Sequence, residues 1–181
     1  MKLPNFILEP LAQWLIGWLR AGKGAPHRFG DIVAADGSLY MERRWLIQPA
    51  WYTFGWGARI HRTARSDSDR HLHDHPWFNI SVILRGWYYE EVPADHPDTS
   101  FFPAILDSNK ESTSGRRRMP GDVVARRAND RHRLVIPGGG ECFSLFIMGP
   151  WRQTWGFYTP HGKVPWRDYL GLPPKGADET Y

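Results

Sequence analysis

A chain of 181 residues is long enough for one domain with a real core and short for two. Hydrophobic residues make up 41% and charged residues 23%, ordinary proportions for a soluble protein, while fifteen Pro and eighteen Gly call for many short turns and favour a β-rich fold. The formal net charge is +4, yet the basic residues cluster only at Arg116, Arg117 and Arg118 and at Arg126 and Arg127, with no helix-turn-helix, zinc-finger or RNA-recognition pattern, so nucleic acid is not an expected partner.

Segment 4–20 is apolar at most positions, but Glu9, Pro10 and Gln13 interrupt it. It is too short and too broken to span a membrane, and it lacks the small-residue cleavage site of a signal peptide. A helix is expected over 10–21, ended by Gly22 and Gly24 and packed on the domain or on a second subunit. Strands are expected over 40–47 and 51–61, followed by a polar turn at 66–70 and then a histidine-bearing strand running into 78–84 and Gly86. Further strands follow at 87–92, 101–106, 123–125, 132–136, 142–148 and 155–158; 107–118 reads as a polar loop, 119–122 as a turn and 137–140 as a Gly-rich hairpin loop. Cys142 stands alone, so no intrachain disulfide can form; it lies in an apolar run, which reads as a buried inert thiol and is compatible with a cytoplasmic location.

The stretch with most chemistry is His71-Leu72-His73-Asp74-His75-Pro76-Trp77. In an extended strand, residues two apart share a face, about 7 Å apart along the backbone. Neutral imidazole is the commonest protein ligand for first-row transition metals, so two such residues on one strand make half of a metal site. Asp74 falls on the opposite face and reads as a supporting residue.

Two stretches together resemble the cupin superfamily of jelly-roll barrels. His73-Asp74-His75, three residues, Asn79, six residues and Gly86 reproduce the spacing of the first cupin motif, with Asn where the family usually has Glu. Pro120-Gly121-Asp122-Val123-Val124 followed by His132 resembles the second. More narrowly, His73 to Trp77 with Gly149-Pro150 and Trp155-Gly156-Phe157 is similar to short uncharacterised cupin-like proteins of phage and bacterial genomes, a group defined by sequence rather than by a reaction.

The resemblance implies an all-β double-stranded β-helix over 40–158, preceded by a helix and connection (1–39) and followed by an extension (159–181). It implies that His73, His75 and His132 bind a divalent transition metal, with Fe(II) as the first expectation and Zn, Ni or Mn as alternatives. Asn79, His71 and His61 are further candidates for the metal or the pocket, and Arg59, Arg85 and Tyr88 for holding a small-molecule substrate. Three histidines without the carboxylate occur in thiol dioxygenases of the superfamily, so dioxygenase-type chemistry leads. The alternatives are a non-catalytic carbohydrate- or small-ligand-binding module and a metal-free isomerase like the sugar epimerases of this fold. Barrels of this kind often pair through edge strands, which makes a homodimer a candidate assembly.

Overall fold

A computed structural model describes residues 1–26, 31–33, 37–66, 71–95 and 113–172. Helix α1 (Asn5–Arg20) precedes a set of short strands: β1 (Ala25–Pro26), β2 (Ile32–Val33), β3 (Leu39–Ile47), β4 (Gly57–Thr63), β5 (Asn79–Arg85), β6 (Tyr88–Pro93), β7 (Thr113–Arg118), β8 (Val123–Arg126), β9 (Arg133–Val135), β10 (Cys142–Met148), β11 (Gly156–Thr159) and β12 (Gly162–Pro165). A single-turn helix, α2 (Trp166–Tyr169), follows. The larger sheet runs β1-β3-β4-β10-β5-β8, with β2 also on β3; a three-stranded sheet runs β7-β6-β9, and β11 and β12 form a hairpin. All pairings are antiparallel. This is the all-β jelly roll expected from the sequence.

The two faces of the larger sheet divide the labour. Ile60, Val82, Leu84 and Phe143 face outward and form one cluster with Leu8, Ala12, Leu15, Ile16 and Leu19 of α1. Those helix positions recur at the three-to-four-residue spacing of one helical face. Cross-strand register places Trp45 beside Arg59, Arg59 beside Phe146, Phe146 beside Ser81, and Asn79 beside Arg126. These inward positions carry Arg59, Ser81, Asn79 and Arg126 beside aromatic rings, and with the apolar seal on the outside the interior is left for a site.

Two motif glycines have steric reasons. Gly86 turns β5 into β6 at φ +74°, and a Cβ there would lie 2.0 Å from the Glu141 carbonyl oxygen. Gly121 has φ +88°; its N–H donates to the Ile83 carbonyl at 2.8 Å and its own carbonyl accepts from Leu3 N–H at 2.7 Å. Both need a left-handed backbone that a side chain disfavours.

Four expectations are corrected. The helix begins at Asn5 rather than at residue 10, with Pro10 inside it. Proline removes one helical hydrogen bond, but burial of Leu8, Ala12, Leu15 and Ile16 carries the helix through an exposed Pro10. The strand expected over 51–61 starts only at Gly57: Trp51–Thr53 is a 3-10 turn, in which Ala50 N–H donates to Thr53 Oγ1 at 2.9 Å and Phe54 adopts φ +51°. The histidine segment is not a regular strand; His73 alone bridges His132 and Phe157. Its neighbours bond elsewhere, Asp74 N–H to Gly156 O and His75 N–H to Ala128 O, and Pro76 has no N–H to offer. Residues 113–118, expected within a polar loop, form β7, because Arg118 pairs with a buried glutamate on β6. The strand expected at 101–106 lies outside the described residues. Hairpin β11–β12 straddles the expected boundary between 158 and 159.

Leu15 is 1% exposed and Trp14 62% exposed on the same helix. Leu15→Ala is expected to cost about 2–5 kcal/mol, and Trp14→Ala no more than about 0.5 kcal/mol, by urea denaturation followed by far-UV circular dichroism. Equal costs would show that α1 does not seal the sheet.

Candidate metal centre

The loop ahead of β5 supplies His73 and His75, and the residue preceding β9 supplies His132. One ring nitrogen from each lies within 4.8 Å of the others. Nε2 of His75 and Nε2 of His132 are 2.8 Å apart. That is close to the spacing, about 3 Å, of two nitrogens on adjacent positions of one first-row ion with bonds of about 2.0–2.1 Å. His73 reaches the group because its backbone is bonded both ways to His132, N–H to carbonyl at 2.9 and 3.0 Å.

The electrostatics suit a metal. Burial, and then the neighbouring His132, His73, Arg126 and Arg59, hold His75 well below the ordinary imidazole pKa. Burial and then Arg126 lower His132, and its bond to Glu90 opposes them only in part. Both rings are therefore neutral near pH 7, with lone pairs available to an ion. Three imidazole donors are the borderline set that Fe(II), Zn(II), Ni(II) and Mn(II) sites draw on. The residues present fit a divalent transition metal.

Asp74, between the two loop histidines, is fully buried and points the other way. Its Oδ1 accepts from Gly156 N–H at 2.8 Å; its Oδ2 accepts from Gln153 Nε2 at 3.0 Å, Tyr158 OH at 3.0 Å and Lys163 Nζ at 2.5 Å. Gln153 also donates to the His75 and Ala128 carbonyls, at 3.0 and 2.8 Å. The C-terminal hairpin is thus tied to the loop of His73 and His75 through one carboxylate.

The other candidates separate. Asn79 is buried, but its Oδ1 accepts from Arg126 Nη1 at 3.4 Å. His71 turns to Tyr169, whose hydroxyl lies 2.9 Å from Nδ1, and is not in the triad. His61 stacks on Phe146, ring centroids 4.8 Å apart, on the inward face but outside the metal-ligand group. Arg85 is exposed at the far end of β5 beside the groove under α1. It is six residues from Asn79, about 20 Å at strand rise, and is not brought to the triad. Tyr88 is buried among Ile83, Ile136 and Cys142, and burial raises its phenol above the ordinary range. Arg59 is 5% exposed and lies 5.1–5.7 Å from the ring centroids of Trp45, Phe146 and Trp77. His75 lies within 6.5 Å of the last two rings.

Sequence reasoning missed a buried charge cluster beside the triad. Glu90 on β6 is 1% exposed. Its Oε1 accepts from His132 Nδ1 at 3.0 Å and Arg126 Nε at 2.6 Å, and its Oε2 from Arg118 Nε at 2.6 Å. The available signal was Glu90-Glu91 within an aromatic, apolar strand: alternation puts Glu90 on the same side as Tyr88. Burial alone would raise the Glu90 carboxyl, but Arg126, His132 and Arg118 outweigh it and hold it well below the carboxylate range.

No family model matches this chain, and no curated protein matches it by sequence. Among solved structures it is similar to the DMSP lyase DddQ from Ruegeria pomeroyi, at 18% identity and TM-score 0.49 over 82% of this chain. The chain spans 66% of that lyase's length. It is also similar to a cupin-like protein from Thermotoga maritima, at 15% identity and TM-score 0.42 over 75% of this chain and 86% of the other. A third likeness is to oxalate decarboxylase from Bacillus subtilis, which has Mn(II) centres, at 14% identity and TM-score 0.46 over 76% of this chain and 31% of the other. The activities named are those proteins' own.

Two measurements follow. Removing one partner of a buried ion pair costs about 3–5 kcal/mol, so Asp74→Ala should lose about that much in urea denaturation, while Tyr158→Phe should lose about 1 kcal/mol. The depressed Glu90 pKa also carries a sign. The unfolded carboxyl takes a proton near pH 4.3 and the folded one only well below it. Its stabilisation is full above about pH 4.3 and is lost as pH falls through the folded value. Denaturation midpoints should therefore fall more steeply below that pH in wild type than in Glu90→Gln; parallel profiles would contradict the ion cluster.

Proposed function

We propose that this protein is a metal-dependent enzyme of the cupin kind that acts on a small carboxylate-bearing molecule. His73, His75 and His132 hold the metal and Arg59 holds the carboxylate. The observation that carries this reading is the pairing of two features on one interior face. Three imidazole nitrogens converge within 4.8 Å. Beside them sits a buried guanidinium with no ion pair among the described residues. Burial and then the adjacent Arg43 pull the Arg59 pKa well below the ordinary arginine value. An anion docking there offsets both costs, and a guanidinium matches a carboxylate with two parallel hydrogen bonds.

Fe(II) bound to the three histidines would supply open coordination positions and redox chemistry with O2, whereas Zn, Ni or Mn would polarise a carbonyl or activate water. The protein's own residues do the remainder. Trp45, Trp77 and Phe146 surround the Arg59 guanidinium and keep water from competing with the substrate anion. His75 shares Trp77 and Phe146 with Arg59, so a molecule anchored on the guanidinium presents its other end to the triad. The aromatic shell also favours the second reading, a non-catalytic small-ligand module, in which the same Arg59 pocket binds without turnover.

Protein purified without a nickel column should carry near-stoichiometric Fe, Zn, Ni or Mn by plasma mass spectrometry, and His73→Ala/His132→Ala should carry none. Metal-loaded wild type should gain thermal stability from at least one of formate, oxalate or succinate, in proportion to ligand excess over Kd, and Arg59→Met should not. Wild type that takes up no metal, even on anaerobic Fe(II) addition, would rule out the metalloenzyme. Metal uptake and carboxylate binding with no turnover under O2 would favour the module.

A further inference from the structure

Where the cupin pattern puts a carboxylate on the metal, this chain has Asn79, and the geometry shows what has become of both the position and the charge. Arginine has hydrogen-bond donors only, so the Asn79 atom facing Arg126 Nη1 at 3.4 Å is its oxygen. That is the only atom of an asparagine side chain suited to ligate a cation, and Arg126 directs a donor at it. The remaining Nδ2 is a donor and, among the described residues, is buried without a hydrogen-bond partner. Arg126 also donates to Ser81 Oγ at 3.0 Å and pairs with Glu90 through both Nε and Nη2. The carboxylate of this region is therefore Glu90, one residue removed from the ion: its Oε1 sits 3.0 Å from Nδ1 of His132.

We infer that Glu90 is a positioning residue for the metal site, fixing His132 as the Nδ1–H tautomer with Nε2 free for the ion, and that Asn79 is not a ligand. The inference rests on the metal-site reading above and extends it. Glu90 is locked as an acceptor: Arg118 and Arg126 occupy it from two strands, so the hydrogen between Glu90 and His132 belongs to the imidazole. A ring protonated at Nδ1 alone has its lone pair on Nε2. The 2.8 Å contact between the Nε2 atoms of His132 and His75 requires one hydrogen between two nitrogens. With His132 accepting, that hydrogen comes from His75 in the ion-free protein. A carboxylate behind a ligating histidine also raises the ligand's basicity, so negative charge reaches the metal through the ring rather than by direct coordination.

The test has two readouts. Long-range 1H–15N correlation spectra of ion-free wild type, with His132 assigned by its loss in His132→Gln, should show His132 protonated at Nδ1 and His75 at Nε2. An Nε2–H tautomer at His132 overturns the inference, and this measurement needs no variant at position 90. The second readout is cobalt(II) affinity, followed by absorption. Glu90→Gln should weaken it by about 10–100-fold, Glu90→Asp should recover part of the loss, and Asn79→Ala should stay within about 3-fold of wild type. Wild-type affinity in a folded Glu90→Gln, or a loss in Asn79→Ala as large as that of His132→Ala, overturns it. If wild type binds no cobalt, the metal-site reading fails, and the tautomer still decides whether Glu90 orients His132.

Discussion

The placement of the triad depends on a carboxylate that has no water around it. Asp74 is fully buried, and a desolvated carboxylate is tolerated only when its lone pairs are met. The donors come from one short stretch of chain, Gln153, Gly156, Tyr158 and Lys163, all about eighty positions further on. Burying Asp74 therefore fixes where the β11–β12 hairpin lies. The hairpin in turn holds the loop that carries His73 and His75, through Tyr158 N–H on the Leu72 carbonyl and the bridge from Phe157 to His73. Two candidate metal-ligating histidines on a loop would otherwise lack the rigidity that a coordination site needs.

A second buried carboxylate performs the same service for the third histidine. Glu90 ties β6 of the small sheet to Arg126 at the end of β8 in the large one, so the gap between the sheets is set by an ion cluster as well as by packing. Buried ion pairs contribute little net stability against an apolar replacement, but an unpartnered member is costly, which makes them strict about geometry. Asp74 and Glu90 flank the triad, and each is used up by its own donors. His75 and His132 are left neutral, and Arg59 is left as a buried cation with aromatic rings for neighbours.

These polar interiors are affordable because the hydrophobic work is done on the other side of the sheet. Helix α1 lies outside the barrel, and the cluster around Leu15, Ile60 and Phe143 supplies a core that does not compete with the site for volume. Adjacent residues of β4 show the division: Ile60 is wholly buried outward against α1, while Arg59 and His61 are buried inward.

Much of this was legible in the sequence where the governing physics is local. Side-chain alternation placed His73 and His75 together and Asp74 opposite, and it survives in the burial pattern although the segment is not a strand. Gly86 and Gly121 stood at expected turns in the sequence, and both adopt the positive φ that glycine permits. The helix of α1 was expected as well, though with its start placed too late because Pro10 outweighed burial in a local reading. Tertiary structure decided the rest. Nothing near Asn79 in sequence says that Arg126, 47 positions away, takes its oxygen. Nothing in the polar run at 113–118 says that Arg118 is buried on Glu90. The spacing of metal ligands along a chain follows from backbone geometry, whereas the pairing of buried charges is settled only when the sheets close and each desolvated group must find its partner.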